Sequence, residues 1–270
     1  MNLRVYKSFE DALNNSKSPE GYSNQLLARV VADKTKRFRD QLRDSRQLDL
    51  GALRTSVFLS LIRLRQNEII KVLDFGGACG YHYYICNALL PEQRFDWKVI
   101  ETASMVEAAK KDHESEELSF FTMPDQATEY GWTPDALIAS SSIQYLENPI
   151  TTWESLLALK SSIIFITRTP LSKLSTSTIM LQTSQLAANG PGPLPEEFED
   201  LILEYPITYI PKSMIISSAL KNGYKLSLSI LEENATLFSG EKPVNTQESL
   251  FFTNFSESNV IPEYTGTRVA

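Results

Sequence analysis

Apolar positions along the chain change their period near Glu68. Before it they recur at helical spacing. Leu26, Leu27, Val30 and Val31 fall on one stripe, with Ser23 placed to cap that helix, and Leu53, Val57, Phe58, Leu61 and Ile62 form a second. After it, short apolar runs of strand length alternate with helical stretches. Ile69–Phe75, Trp97–Glu101, Leu118–Thr122, Asp135–Ser142 and Ser162–Thr167 read as strands, the fourth apolar enough to be buried on both faces of a parallel sheet. Between them lie a helix from Gly80 to about Leu90, stopped by Pro91, and one opened by the capping box Ser104/Glu107. Asn148 followed by Pro149 opens a third. Strands alternating with helices predict a parallel α/β sheet.

The rhythm breaks over residues 170–205, rich in Ser and Thr and then carrying Asn189-Gly190-Pro191-Gly192-Pro193. The expectation is an irregular insertion, since long connections in compact domains are usually functional or disordered. Pro211 then starts a helix that Asn222-Gly223 ends. Tyr224–Leu231 and Glu248–Thr253 are two more strands, placed to pair antiparallel. The pattern divides the chain into a helical cover over residues 1–67, an α/β domain over 68–256 and a frayed tail over 257–270.

The 26 basic and 33 acidic residues give a net charge of −7, against a general nucleic-acid partner, which needs a basic face. One local basic run, Lys34 to Arg46, reads as a solvated helix face paired with Asp33, Asp40 and Asp44. The two cysteines, Cys79 and Cys86, have no companion His/Cys cluster with zinc spacing, so no metal is expected and both read as packing residues in a reducing compartment. No run has the length of a membrane span, and the first ten residues lack a signal peptide's apolar core, so the expected location is cytoplasmic.

The candidate chemistry sits at Val72 to Tyr84, V-L-D-F-G-G-A-C-G-Y-H-Y-Y. A strand, a glycine turn and a new helix let backbone approach a ligand, with free N–H groups aimed at it. A dinucleotide fingerprint, G-x-G-x-x-G, fails here, because Tyr81 stands where the last glycine permits close helix–strand packing. Read as D-x-G-x-A/G-x-G, the positions Asp74, Gly76, Ala78 and Gly80 fit. From about residue 68 to 254 the chain thereby resembles the class I S-adenosylmethionine (SAM) methyltransferases. The resemblance implies a Rossmann-like, seven-stranded, mostly parallel sheet with an antiparallel last strand. It implies SAM as cofactor, bound over Asp74, Gly76, Gly77 and Gly80. Asp74 would lie near the methionine amino group and Glu101, ending the second strand, would accept both ribose hydroxyls. Thr122 and Met123 fall where the adenine pocket forms, and Ser140 and Ser141 end the fourth strand on the cofactor side. The segments D-F-G-G-A-C-G, S-S-S-I-Q-Y-L-E-N-P, T-R-T-P and Y-P-I-T-Y-I-P also resemble a bacterial family, assigned as methyltransferases, whose members occur near surface-polysaccharide genes.

Methyl acceptors bind at strand C-terminal ends in such a fold. His82, two residues past Gly80, is the candidate base, held neutral at a helix N-terminus. Tyr145 follows the fourth strand, and Arg168 ends the fifth, where it is placed to hold an anionic acceptor. A salt bridge from Arg168 to Glu147 or Glu101 is the competing reading. Tyr205 and Tyr209 are candidate pocket walls, and His113, on an acidic helix end, is expected in solvent. S-S-S-I-Q-Y stands where N-P-P-Y would mark amino-group methylation of adenine or glutamine. The expected activity is O-methylation of a small molecule or sugar intermediate. Its rivals are natural-product or carboxylate O-methylation and a non-catalytic SAM-fold partner protein.

Overall fold

The computed structural model describes residues 4–45, 47–48, 51–62, 68–233, 238–239 and 242–255. The expected tail over 257–270 and Arg46 of the basic run lie outside the described residues.

The N-terminal part forms helices α1 (Phe9–Asn14), α2 (Gln25–Ser45) and α3 (Ala52–Leu61). Ser23 sits in a 3-10 turn, and the cap of α2 is Asn24, whose Oδ1 accepts from the Leu27 N–H at 3.0 Å. The turn consumes Ser23, so the cap falls one residue later than expected. The α2 stripe holds, with Leu27, Val30 and Val31 buried. The α3 stripe holds in part: Phe58 and Ile62 are buried with Leu61 packed beside them, Thr55 and Leu59 also face inward, and Leu53 is 60% exposed. Phe58 stacks on Phe165, ring centroids 6.0 Å apart.

The strands are β1 (Ile70–Phe75), β2 (Phe95–Ile100), β3 (Leu118–Phe121), β4 (Ala136–Ser140), β5 (Ile163–Ser172), β6 (Thr178–Gln185), β7 (Ile202–Pro211) and β8 (Tyr224–Glu233), then the short pair β9 (Phe238–Ser239) and β10 (Lys242–Pro243), and β11 (Asn245–Asn254). The later helices are α4 (Tyr81–Leu89), α5 (Ala103–Asp112), α6 (Pro124–Ala127), α7 (Pro149–Ala158) and α8 (Lys212–Lys221). The main sheet runs β3-β2-β1-β4-β5-β11-β8. β3 through β5 are parallel neighbours, and β11 is antiparallel to both β5 and β8. The last strand in sequence thus inserts beside the fifth and reverses direction.

Residues 170–205 are irregular only over 173–177 and 189–201. They supply the end of β5, all of β6 and the start of β7, and β6 pairs antiparallel with β7 from Thr178↔Tyr209 to Gln185↔Ile202. The polar β6 pattern hid the strand, because only Met180 among its residues is buried. The capping box at Ser104 is likewise replaced: Thr102 precedes α5, and its side chain accepts from the Met105 N–H.

Each face of the sheet carries its own core. Leu73, Leu137, Trp153, Ile164, Ile215 and Phe252 pack under α7 and α8. Leu27, Val30, Phe58, Cys86, Trp97 and Phe165 pack on the other face, so α2 and α3 share one core with the sheet. His113 is buried there instead of lying in solvent, because α2 covers the end of α5. Its Nε2 lies 3.0 Å from the Ala32 carbonyl and its Nδ1 2.9 Å from the Tyr84 hydroxyl. The basic run is salt-bridged as expected at Arg37–Asp33 and Arg39–Asp40, but Lys34 is only 1% exposed. Among the described residues no helix is long and apolar enough to cross a membrane.

Candidate active site

β1 delivers the chain into the turn Gly76–Gly80 with its backbone in conformations that exclude most side chains. Gly76 has φ +73°, and a Cβ there would stand 2.3 Å from Ser142 Cβ. A Cβ on Gly77 would stand 2.3 Å from Asp74 Cγ. Gly80, at φ +85°, caps α4 against Leu118. Ala78 also lies at positive φ, 50°, which costs an alanine about 1–2 kcal/mol.

Asp74 lies beneath this turn and is wholly buried. Its Oδ2 accepts from Trp97 Nε1 at 3.2 Å, and its Oδ1 has no partner. Burial pushes its pKa up to about 8; the Trp97 bond opposes this and the nearby Glu101 charge adds to it. The Glu101 carboxylate is held by two backbone groups, Ala78 N–H on Oε1 at 3.1 Å and Thr102 N–H on Oε2 at 2.8 Å. Burial raises its pKa, and these two bonds partly offset the rise.

A cavity of about 990 Å³ opens over the C-terminal ends of β1, β2, β4 and β5 and under the N-terminal cover. That is the upper end of the roughly 300–1,000 Å³ common for small-molecule sites. Gly76, Gly77, Glu101, Thr122, Met123, Ser140, Ser141, His82, Tyr145 and Arg168 all line it. Asp74 and Gly80 support the turn from behind and do not reach the wall. The N–H groups of Thr122 and Met123 both point to Gln126 Oε1, at 3.2 and 3.3 Å. Ser141 is at φ +53°, its N–H bonded to the Thr167 carbonyl and its Oγ accepting from Gln144 Nε2. The hydroxyls of Ser140 and Ser142, both wall residues, are buried with no hydrogen-bond partner among the described residues. Buried polar groups are rarely left so, and these belong to residues that line the cavity.

The far wall is aromatic. Tyr22 stacks on Tyr205 with centroids 4.2 Å apart and tilts on Tyr145 at 4.7 Å. Tyr145 donates its hydroxyl to Gln182 Oε1 at 2.9 Å. Tyr209 is not part of this wall; it packs on Met180 and Ile207. Tyr22 lies in a turn of the cover between two helices, where no periodicity or motif marks it as a site residue. His82 is buried on the wall, its Nδ1 2.7 Å from Thr55 Oγ1. Its pKa is lowered to about 3, first by burial and then by the positive charge of Arg168, so the ring is neutral. The competing reading, a salt bridge from Arg168 to Glu147 or Glu101, does not hold: Arg168 makes no ion pair among the described residues.

No protein-family model matches the chain, and no curated protein matches its sequence. Solved structures do resemble it in shape. A glycopeptide N-methyltransferase, MtfA, complexed with sinefungin aligns over 76% of this chain and 86% of its own, with 11% identity and TM-score 0.48. A SAM-dependent methyltransferase from Clostridium acetobutylicum ATCC 824 aligns over 82% and 98%, with 10% identity and TM-score 0.49. CalS10, an amino pentose methyltransferase from Micromonospora echinaspora solved with SAM, aligns over 80% and 95%, with 10% identity and TM-score 0.47. The fold is a Rossmann-like methyltransferase fold. Its own strand order, with the reversed β11 between β5 and β8, carries that statement.

Proposed function

We propose that the chain is a SAM-dependent methyltransferase that acts on an oxygen of a small molecule, with sugar intermediates and natural products as the acceptor classes. The observation that carries this reading is the junction of Glu101 with the glycine turn on one cavity wall, through the Ala78 N–H. A carboxylate that keeps a second lone pair on each oxygen, beside a turn with no room for a Cβ at Gly76 or Gly77, suits a ribose next to an amino acid. Gly76, Gly77 and Ala78 would back the amino-acid end, Glu101 the ribose, and Thr122 and Met123 the base, with Ser140 and Ser141 closing the β4 side. The unpartnered Oδ1 of Asp74 beneath the turn favours a positive group above it.

Bound SAM supplies a methyl group on a positively charged sulfur. The chain's part is to bring an oxygen in line and exclude water. His82 is the candidate to receive the acceptor's hydroxyl hydrogen. When Nδ1 carries its hydrogen and donates it to Thr55, Nε2 is left as an acceptor. A ring this weakly basic orients the hydroxyl and takes a proton only as the methyl arrives. Tyr145, braced by Gln182, walls the acceptor, and Arg168 supplies a charge.

Calorimetry with SAM and with S-adenosylhomocysteine tests the reading. Binding is expected in the micromolar range, and no heat at high micromolar ligand would end it. Transfer of labelled methyl from SAM into a panel of sugars, nucleotide sugars and hydroxy acids then identifies the acceptor. Cofactor binding with no transfer to any of them favours a non-catalytic partner protein. Full turnover in His82→Ala removes His82 from the chemistry.

A further inference from the structure

Arg168 differs from every other charged group on the cavity wall. It sits at a β-bulge: Glu248 pairs with Thr169 and Leu250 with Ile166, so Ser249 alone faces both Thr167 and Arg168. Bulges re-aim side chains and gather beside active sites. The residue adopts φ +54°, a conformation few arginines occupy, and its side chain is exposed to the cavity. Its backbone is pinned on both sides. The N–H donates to Glu232 Oε1 at 2.9 Å, and the carbonyl accepts from Gln144 Nε2 at 3.2 Å.

The obvious counter-ion is already occupied. Glu232 is buried and accepts from Arg54 Nε, the Thr167 and Ser249 hydroxyls and the Arg168 N–H. These bonds outweigh its burial and hold its pKa below the usual range. Arg54, the other arginine on the wall, is thereby neutralised at 2.6 Å, and the guanidinium of Arg168 is not. Its charge is felt by two wall residues, lowering the pKa of His82 and opposing the rise of Tyr22. So a guanidinium with no ion pair among the described residues lines a cavity beside the Tyr22–Tyr145–Tyr205 wall, in a chain of net charge −7.

We infer that the acceptor carries a carboxylate, bound by the fork of Arg168, with its ring or chain against the tyrosines. This rests on the methyltransferase reading and narrows its substrate class. A single guanidinium matches a carboxylate in charge and in planar geometry, whereas a phosphate dianion would call for a second unpaired cation. The carboxylate is a handle. Its lone pairs are engaged by Arg168, so a hydroxyl of the same molecule is the nucleophile: the O–CH3 bond forms as the S–CH3 bond of SAM breaks, S-adenosylhomocysteine leaves uncharged at sulfur, the hydroxyl proton passes to His82 and on to water, and the carboxylate keeps its charge throughout.

Thermal melts of the full chain test this with 4-hydroxybenzoate and glucuronate as probes, 4-hydroxybenzamide and glucuronamide as neutral controls, and glucose 6-phosphate as the phosphate arm. Each is run with and without saturating S-adenosylhomocysteine. At least one acid is expected to raise Tm in a concentration-dependent way while its amide does not. Arg168→Gln should weaken that apparent affinity about 10- to 100-fold, with Arg168→Lys in between. The S-adenosylhomocysteine shift should be equal in all three proteins, which shows that the variants are folded. The inference is overturned if neither acid outperforms its amide, if the acid shift survives Arg168→Gln undiminished, or if glucose 6-phosphate outperforms glucuronate. An acid shift that needs Arg168, with no shift from S-adenosylhomocysteine, upholds the carboxylate site and removes the cofactor reading. The converse removes only the carboxylate site, and loss of both removes both.

Discussion

The Ala78 N–H donates to Glu101 Oε1 at 3.1 Å, so the acid at the end of β2 closes the turn that follows β1. The other oxygen takes the Thr102 N–H at 2.8 Å, and the carboxylate plane is set before any ligand arrives. A glutamine in its place must turn its NH2 toward one of these two donors. Glu101→Gln should therefore lose one backbone bond and part of the ribose contact together. On the proposed reading SAM affinity falls about 10- to 100-fold in Glu101→Gln, from the 1.5–3 kcal/mol typical of a bond to a charged group. It falls further in Glu101→Ala. Calorimetry reads both, and unchanged affinity in the alanine variant removes Glu101 from the cofactor site.

The turn can be probed through stability without any ligand. Gly76→Ala forces a Cβ to within 2.3 Å of Ser142 Cβ at φ +73°. The backbone strain alone costs about 1–3 kcal/mol, and the clash adds to it. Ser142→Gly removes the struck atom at little cost, since the Ser142 hydroxyl has no hydrogen-bond partner. The double variant should recover the clash and keep the strain. Urea titrations of the four proteins give the coupling; purely additive effects would mean the two residues do not meet.

Much of this was legible in the residues. Short apolar runs mark β1 to β5, and proline and glycine punctuate the helices, because those elements are buried or capped locally. The glycine turn and Glu101 were readable because a tight turn and a strand-end acid leave side-chain signatures. Other features depend on contacts distant in sequence. His113 looks solvated beside its acidic neighbours until α2 lies over it. β6 fully buries only Met180 and has no apolar alternation to read. Arg168 as a strand-end cation was visible, but its bulge comes from the pairing of β5 with β11, and Glu232, 64 residues away, is claimed by Arg54 and leaves the Arg168 guanidinium without an ion pair among the described residues. Tyr22 reaches the wall only because the cover folds back onto β7.

Asp74 gives the chain a pH signature. Its carboxyl is pushed up to about 8 in the folded protein, against about 4 for a free aspartate. Below pH 4 it is protonated in both folded and unfolded chains and costs nothing. As pH rises toward 8 the unfolded chain ionises freely while the folded one must keep its proton, so stability is lost at up to about 1.4 kcal/mol per pH unit over that span. Above 8 the loss is complete and constant. Asp74→Asn mimics the protonated group and does not titrate. Its Tm advantage over the natural protein should be near zero at pH 4, grow to pH 8 and level off. An advantage that does not change with pH would show that Asp74 ionises normally. On the proposed reading, the positive amino group of SAM favours the ionised carboxylate, so SAM should stabilise the natural protein more than Asp74→Asn.

Lys34 ties the roof of the cavity to α2. It is 1% exposed, and its Nζ donates to the carbonyls of Ala187 and Asn189 at 2.7 and 2.6 Å. Burial lowers its pKa, and Asp200 pulls it back. The residues it holds lead into Gly190, which sits at φ +74° against Val31 and lines the cavity with Asn189. Lys34→Met keeps the volume of the stem but leaves two carbonyls without their donor, a loss of about 1–3 kcal/mol for each that stays buried. The cheaper escape is for the segment to lift off α2 and hydrate. Local opening of this kind exposes backbone to protease in proportion to its equilibrium population. Lys34→Met should therefore be cut about tenfold faster within residues 186–201, while cleavage sites elsewhere keep their rates. Equal acceleration at every site would mean that Lys34 supports the whole fold instead. An unchanged rate at 186–201 would mean that the two carbonyl bonds do not hold the roof in solution.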